Sequence, residues 1–260
     1  MKPSSLAHRA RMTTLFLLHG FAGAPASFQP LLEALGVQVK IVSVTLSGHG
    51  GDASLGTVTS FEDEVERLER RLFREADEPA HLIGYSMGAR LGLGLAAAQR
   101  PRLASATLIG AHPGLASERA RRERVQADEH WCSLLENESL EAFVDAWESQ
   151  PLFATQRELD PELLAKQRRI RLSHHPLGLA GAMRALGLGN MPCLLEALSE
   201  VRVPVQLVVG ERDARRLPAA REMCDALERS RLVVAPGAGH NVVLERPAWL
   251  ANVMKDWVST

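Results

Sequence analysis

The chain has 260 residues, of which 46% are hydrophobic and 23% are charged, and its formal net charge at pH 7 is −1. This length indicates a single domain of α/β size, and the near-zero charge argues against nucleic acid or an anionic membrane as a partner. Three widely spaced cysteines (Cys132, Cys193 and Cys224) form neither a disulfide framework nor a metal-binding motif. No signal peptide and no membrane span of about 18 apolar residues is evident. We therefore expect a cytoplasmic protein that does not enter a membrane, and both a monomer and a homodimer are left open.

Segments with strand and helix character alternate over the first 111 residues. Strands are expected at Thr13–Leu18, Val37–Val44, Ala80–Ile83 and Ala104–Ile109. Helices are expected from an N-cap at Ser27 to Gly36, from Thr59 or Ser60 to Pro79, and over Ala89–Gln99. This alternation predicts a parallel sheet covered by helices on both faces, which places the chain in the α/β class. The polar start, residues 1–11, is expected to be disordered.

The pattern changes between residues 112 and 198, where helical stretches punctuated by prolines contain no convincing strand. The alternation then resumes with a strand, a helix, a strand and a final helix, at Val205–Val209, Ala219–Leu227, Leu232–Ala235 and Pro247–Val258. We therefore predict an α/β core formed by residues 12–111 and 199–260. Residues 112–198 are predicted to form a helical lid inserted over the ends of the strands.

A glycine-serine-glycine pattern marks the turn between the third predicted strand and the helix that follows. Gly84, Ser86 and Gly88 form Gly-x-Ser-x-Gly, which in a strand–turn–helix setting is typical of a nucleophile elbow. Such a turn holds the serine in a strained conformation above a helix N-terminus, and the flanking residues must be small. The pattern predicts an exposed serine hydroxyl at the edge of the sheet.

A serine hydroxyl becomes reactive when a histidine accepts its proton and a carboxylate orients that histidine. Asp213 follows the strand Val205–Val209, and His240 follows the strand Leu232–Ala235, so both lie on loops at the carboxyl edge of the sheet. Taken separately, Asp213 could be a helix N-cap and His240 a structural loop histidine. Their order behind Ser86, each directly after a strand, favours a catalytic triad.

Two backbone amides are placed to stabilise a negatively charged oxygen. Phe21 follows the first strand in the run His19–Phe21, and Met87 follows the elbow serine. We predict that the N–H groups of Phe21 and Met87 form an oxyanion hole, while His19 organises the loop. A plain glycine turn is the alternative.

Arg90 lies one helical turn after Ser86 on the same face of the predicted helix. A guanidinium in this position either forms an ion pair with a neighbouring carboxylate or holds a carboxylate of the substrate. The runs Arg119–Arg124 and Arg168–Arg171 of the predicted lid add further cations. A charge run on a helix is usually a solvated face.

These motifs resemble those of the α/β-hydrolase superfamily over nearly the whole chain. The matching segments are His19–Phe21, Ser47–Gly50, Gly84–Gly88, Gly210–Asp213 and Gly239–His240. Within that superfamily, the chain resembles the 2-succinyl-6-hydroxy-2,4-cyclohexadiene-1-carboxylate synthases of menaquinone biosynthesis. The segments that carry this closer resemblance are Gly84–Arg90, His112–Leu115, Trp147–Phe153, Lys166–Arg169 and Gly239–Asn241.

The closer resemblance implies a lyase with a helical lid, in which Ser86, activated by His240 and Asp213, abstracts a proton and pyruvate is eliminated. It implies a small, multiply anionic substrate, with no metal or organic cofactor. It also implies binding roles for five side chains: Arg90, Arg124 and Arg168 would bind carboxylates, and Tyr85 and Trp147 would line the site. A carboxylesterase or related serine hydrolase acting on a small ester or thioester is the alternative.

The chain departs from the synthase pattern at a few positions. Ser47 stands where proline is usual, and Val243 stands where a second histidine is frequent. Arg215 and Arg216 replace a more usual Lys-Phe pair after the acid. These departures affect the assignment of the substrate more than that of the fold or the triad.

Overall fold

The computed structural model describes residues 13–36, 39–51, 59–76, 78–98 and 102–258. The N-terminus predicted to be disordered lies outside these residues. So do residues 37 and 38 of the second predicted strand and residue 99 of the third predicted helix.

Six strands form one sheet, and every neighbouring pair is parallel. They are β1 (Thr14–Leu18), β2 (Lys40–Val44), β3 (Ala80–Tyr85), β4 (Leu103–Ile109), β5 (Val205–Gly210) and β6 (Ser230–Ala235). Their order across the sheet is β2-β1-β3-β4-β5-β6. The strands therefore share a carboxyl edge, where the loops after β1, β3, β5 and β6 meet.

Ten α-helices accompany the sheet in the described residues. They are α1 (Gln29–Leu35), α2 (Phe61–Glu75), α3 (Met87–Ala97), α4 (Glu118–Asn137), α5 (Leu140–Glu148), α6 (Pro161–Arg171), α7 (Pro176–Leu186), α8 (Leu217–Ala226), α9 (Val242–Glu245) and α10 (Pro247–Val258). Within this described part of the chain, none of the helices has the length and apolar character that a membrane crossing requires.

The predicted N-caps hold at one helix and fail at another. Ser60 caps α2, because its hydroxyl accepts a hydrogen bond from the Asp63 amide at 3.0 Å. Ser27 does not cap α1: a 3₁₀ turn over Pro25–Phe28 precedes that helix, and the Ser27 hydroxyl accepts from the Ala24 amide instead. Pro25 starts this turn earlier than the sequence pattern indicated.

The sheet is covered on both faces, as β1 illustrates. Phe16 and Leu18 pack into one core and Leu15 and Leu17 into another, because successive side chains of a strand point to opposite faces. The first core includes residues of α2, α3 and α8, such as Leu68, Leu91 and Met223. The second includes residues of α1 and α10, such as Leu31 and Leu250.

The segment between β4 and β5 contains helices α4–α7 and a 3₁₀ stretch, Pro151–Glu158, but no strand. Its helices share a third core in which Phe143, Val144, Trp147 and Met183 are buried. Ala22, from the loop after β1, belongs to the same core. The segment is therefore a small helical layer that rests on the loops of the carboxyl edge.

Helix α3 approaches β1 so closely that a glycine is required at the contact. A Cβ atom on Gly88 would lie 2.1 Å from the Leu18 carbonyl oxygen and 2.6 Å from that of His19. Because both neighbours are backbone atoms, they cannot move aside without displacing the strand.

We expect Gly88→Ala to lower the free energy of unfolding by at least about 2 kcal/mol, because the added methyl group overlaps the backbone of β1. Gly181→Ala is the matched control. Gly181 also lies inside a helix (α7), but its added Cβ meets nothing within 4 Å, so alanine should stabilise the protein by about 1 kcal/mol. Urea unfolding followed by circular dichroism measures both; equal effects would show that the contact at Gly88 is not tight.

Candidate active site

Ser86 lies at a strained turn between β3 and α3. Its backbone has φ 53° and ψ −106°, and only Ala22 shares a positive φ among the non-glycine residues that the structure describes. The turn is tight enough that a Cβ on Gly84 would lie 2.5 Å from the Gly88 carbonyl oxygen. A strained conformation at this position is a cost that the surrounding packing must offset, and it keeps the hydroxyl at the edge of the sheet.

The three side chains predicted to form the triad are joined by hydrogen bonds. The His240 Nδ1–H group donates to Asp213 Oδ2 at 2.6 Å, and the Ser86 hydroxyl donates to His240 Nε2 at 2.9 Å. Gly110 leaves room for the ring, because a Cβ there would lie 2.8 Å from His240 Cε1. This arrangement holds the neutral imidazole with Nε2 free to take the serine's proton.

The electrostatic surroundings keep this proton relay ready at neutral pH. Burial lowers the pKa of His240 below its ordinary value of 6.5, against the opposing effect of the hydrogen bond and charge of Asp213. Burial would raise the pKa of Asp213, but the hydrogen bond from His240 and the charges of His240 and Arg216 outweigh it and leave that pKa lowered. At pH 7 the histidine is therefore neutral and the carboxyl group ionised.

A buried carboxylate that the sequence analysis missed fixes the loop carrying His240. Glu245 accepts hydrogen bonds from the Gly239 amide at 2.6 Å and the Asn241 amide at 3.2 Å, one on each side of the histidine. Its partners are backbone groups, so no motif in the sequence marked it.

The two amides predicted to form the oxyanion hole are free to donate. Neither the Phe21 nor the Met87 amide has an acceptor among the described residues. Met87 is the first residue of α3, where an amide has no partner within the helix. Beside Phe21, the strained Ala22 donates its amide to His49 Nε2 at 3.1 Å, which fixes the loop.

Three histidines support the loops next to this amide pair. His19 Nε2 accepts from the Leu46 amide at 3.1 Å, His49 accepts from Ala22, and His174 Nδ1 accepts from the Gly50 amide at 2.9 Å. Burial is the main cause that lowers the pKa of each: to about 4 for His19, well below 6.5 for His49, and below 6.5 for His174. All three must be neutral to accept these bonds.

The loop that carries His49 is itself tied to α2. Glu64, which is buried, accepts from the Ser47 amide at 3.1 Å and from the Ser47 hydroxyl at 2.7 Å. Arg67 neutralises the same carboxylate at 2.7 Å. Serine at position 47 therefore supplies a hydrogen bond that proline could not.

Arg90 is buried and forms no ion pair with a carboxylate among the described residues. Its guanidinium donates to the Leu186 carbonyl oxygen at 2.7 Å and contacts Met191 Sδ at 3.7 Å. Burial, together with the charges of Arg216 and Arg124, lowers its pKa to about 9, so it remains a cation at pH 7. Of the two alternatives that the sequence left open for Arg90, the ion pair with a neighbouring carboxylate is therefore absent from the described residues.

Arg124 and Arg168 lie in different surroundings. Arg124 is paired with Asp128 through both its Nε and its Nη2, at 2.9 Å each, and its charge also acts on Arg90. Arg168 uses both terminal nitrogens on carboxylates of α5, Asp145 at 2.6 Å and Glu148 at 3.0 Å. The structure thus brings Arg124 toward Arg90, whereas the guanidinium fork of Arg168 is already occupied.

The two aromatic residues implied by the resemblance both contact the loop after β1. The Tyr85 ring is 5.5 Å from the His240 ring and packs against Gly20. Trp147 is buried against Phe21, Phe143 and other rings of the third core. Tyr85 and Phe21 also line a largely apolar cavity of about 200 Å³ that extends toward α6, although Ser86 itself does not line it.

Comparison with known proteins identifies the family. The model of the alpha/beta hydrolase family matches residues 15–253. The chain belongs to the α/β-hydrolase family. No three His, Cys, Asp or Glu side chains of this α/β hydrolase are grouped, in the described residues, so as to hold a metal ion.

Individual α/β hydrolases resemble the chain over nearly its full length. A putative 2-succinyl-6-hydroxy-2,4-cyclohexadiene-1-carboxylate synthase from Bacillus subtilis is 33% identical, with 94% of this chain and 89% of the relative covered. The synthase of the same name from Salmonella paratyphi A is also 33% identical, with 92% and 91% covered. The structure of MenH from S. aureus superimposes with a TM-score of 0.90 at 29% identity, covering 95% of this chain and 93% of that one.

We expect Ser86→Ala and His240→Ala each to abolish activity, and the double variant to be no worse than either single variant, because the two side chains act as one proton-transfer unit. Initial rates with saturating substrate measure this, and a thermal melt checks folding. A double variant that loses much more than either single variant would show that they do not act together.

We also expect the free energy of unfolding to fall as the pH drops from about 6.5 towards 4. In this window the unfolded chain binds protons at His19, His49 and His174 that the folded chain does not, so stability is present above the unfolded pKa and lost below it. For His19 alone, the shift from 6.5 to about 4 is worth about 3 kcal/mol. Urea titrations at several pH values measure the slope.

His49→Gln should flatten this slope, since glutamine does not titrate. His130→Gln is the control, because it makes the same substitution at an exposed residue of α4, away from these buried loops. Stability that is independent of pH in this window would contradict the assignment of neutral, buried histidines.

Proposed function

We propose that this α/β hydrolase is a lyase, a 2-succinyl-6-hydroxy-2,4-cyclohexadiene-1-carboxylate synthase that eliminates pyruvate from a multiply anionic enolpyruvyl cyclohexene carboxylate in menaquinone biosynthesis. The observation that carries the proposal is a buried Arg90 that pairs with no carboxylate among the described residues, one helical turn from a hydrogen-bonded Ser86–His240–Asp213 triad. A buried cation of this kind requires an anion, and the substrate has several carboxylates. The likeness to synthases from two bacteria supports the same reaction.

The elimination breaks a C–H bond and a C–O bond of the substrate and forms a C=C bond. His240 accepts the proton of the Ser86 hydroxyl, and the serine oxygen then removes the substrate proton. The electron pair released from the C–H bond forms the new double bond, and the enolate of pyruvate leaves with the C–O pair. The abstracted proton returns to the departing enolate, so the reaction needs neither water nor a cofactor.

The oxyanion hole and the arginines have separate tasks in this reaction. The Phe21 and Met87 amides donate to the carbonyl oxygen on which negative charge develops when the proton leaves. Arg90 and Arg124 bind substrate carboxylates and so position the C–H bond at Ser86. Tyr85 and Trp147 shape the site from its apolar side.

Arg168 would bind a carboxylate only by exchanging its ion pairs with Asp145 and Glu148 for the substrate. Residues 112–198 act as a lid in this proposal, because they place Arg124 and Trp147 at the carboxyl edge of the sheet. We further propose a cytoplasmic location, in keeping with the three free cysteines.

The test compares two substrates in one set of variants. We expect Arg90→Ala to lower kcat/KM for the enolpyruvyl substrate, because a charge-assisted contact is lost. The loss should correspond to about 2–4 kcal/mol of transition-state stabilisation. Arg90→Lys should recover only part of this loss, since an ammonium group cannot reproduce the planar fork. A coupled assay that detects pyruvate gives both rates.

A neutral p-nitrophenyl ester is the control substrate, because it has no carboxylate for Arg90 to hold. Its slow turnover should change much less in the same variants. Rapid hydrolysis of the ester with no release of pyruvate from the enolpyruvyl substrate would instead favour a carboxylesterase.

A further inference from the structure

Another arginine, Arg216, lies beside the triad, on the loop that carries Asp213. Arg216 is the residue before α8, three positions after Asp213. Its amide donates to the Asp213 carbonyl oxygen at 3.0 Å, which fixes its backbone to the loop that carries the acid. Its side chain is half-buried, and its Nε atom is buried with no hydrogen-bond partner. Within the described residues, its guanidinium forms no ion pair.

The charge of Arg216 acts on groups from several elements of the site. It lowers the pKa of Arg90 on α3 and of His112 in the loop after β4. It also acts on His240 and Tyr85. Arg216 therefore lies near both the triad and Arg90.

The carboxylates near this group of cations are already engaged. Asp128, which acts on Arg90, is paired with Arg124 at 2.9 Å. Asp213, which acts on Arg216, holds the His240 ring at 2.6 Å. Of these two carboxylates, Asp128 thus pairs with Arg124 and Asp213 with His240, so neither is left to pair with Arg90 or Arg216. Bringing like charges together in a partly buried place is unfavourable unless an anion completes the site.

We propose that Arg216 binds a carboxylate of the substrate together with Arg90 and Arg124, on the side of the site next to His240. The inference rests on the proposed lyase function and deepens it. Its buried Nε and its fixed backbone hold the guanidinium in place, so little side-chain entropy is lost when a carboxylate binds. Arg216 therefore determines specificity: it favours substrates with a carboxylate close to the reacting C–H bond over neutral esters.

The first test is a binding measurement that does not depend on the reaction. Succinate, a simple dicarboxylate, is titrated into the protein at low ionic strength by isothermal calorimetry. We expect binding to the unmodified protein and an affinity about 10-fold to 100-fold lower for Arg216→Gln, the usual range for a charge-assisted contact. Arg216→Lys should fall between the two, because it keeps the charge but not the fork.

Arg215→Gln is the matched control, because it removes the same charge from the adjacent, exposed residue. It should alter succinate affinity by less than about 2-fold, as expected for a solvent-screened charge. Equal losses of succinate affinity in Arg215→Gln and Arg216→Gln would show that the effect comes from the net charge of the protein, and would overturn the proposal. So would the absence of succinate binding by the unmodified protein, or misfolding of both Arg216 variants in a thermal melt.

The second test is kinetic and separates this inference from the reaction itself. With the enolpyruvyl substrate, Arg216→Gln should raise KM and lower kcat/KM by about 10-fold or more, whereas turnover of a p-nitrophenyl ester should change by less than about 3-fold. Loss of both activities to the same extent would show that Arg216 only supports the triad. If no pyruvate is released by the unmodified protein but succinate binding still depends on Arg216, the lyase function fails and the anion site stands.

Discussion

The contact between α3 and β1 is the constraint on which the site depends. The Leu18 and His19 carbonyl oxygens reach so close to Gly88 that no side chain fits there, and the strained Ser86 is the residue that links β3 to this helix. The approach brings the Met87 amide at the helix start beside the loop after β1, which carries the Phe21 amide. One close backbone contact thus sets Ser86 and the two amides predicted to form the oxyanion hole relative to one another.

Buried polar side chains fix the irregular loops around this contact. Glu245 holds the loop of His240, Glu64 holds the loop of Ser47, and His49 connects that second loop to Ala22. Each accepts hydrogen bonds from backbone amides that would otherwise be buried without a partner, at a cost of about 1–3 kcal/mol each. Catalytic loops need this support because their residues lie outside the ladders of the sheet.

The sheet, the elbow and the order of the triad residues could be predicted from the sequence, because each depends on local signals. Hydrophobic runs mark β1 and β5, and the small residues around Ser86 mark the turn. The supporting carboxylates Glu64 and Glu245 could not be predicted, since each binds an amide of a distant or irregular segment. The start of α1 was misplaced for a local reason, because Pro25 begins a 3₁₀ turn that removes Ser27 from the cap position.

The arginines show why charge alone is a poor guide to a site. The resemblance implies a carboxylate-binding role for each of Arg90, Arg124 and Arg168, yet the fold gives them different partners. Arg168 is paired with Asp145 and Glu148 and Arg124 with Asp128, whereas in the described residues Arg90 has only a carbonyl oxygen and a thioether.

The role of each arginine depends on how many of its guanidinium N–H groups have no acceptor in the protein. That number is set by the residues that pack around it in the fold. On the side of the triad toward Arg90, three arginines lie near one another and Arg90 pairs with no carboxylate of the described residues, whereas the cavity beside Tyr85 and Phe21 is largely apolar. A substrate with carboxylates at one end and a hydrocarbon ring at the other would be oriented by this asymmetry. A small neutral ester would find nothing on the cationic side to hold it.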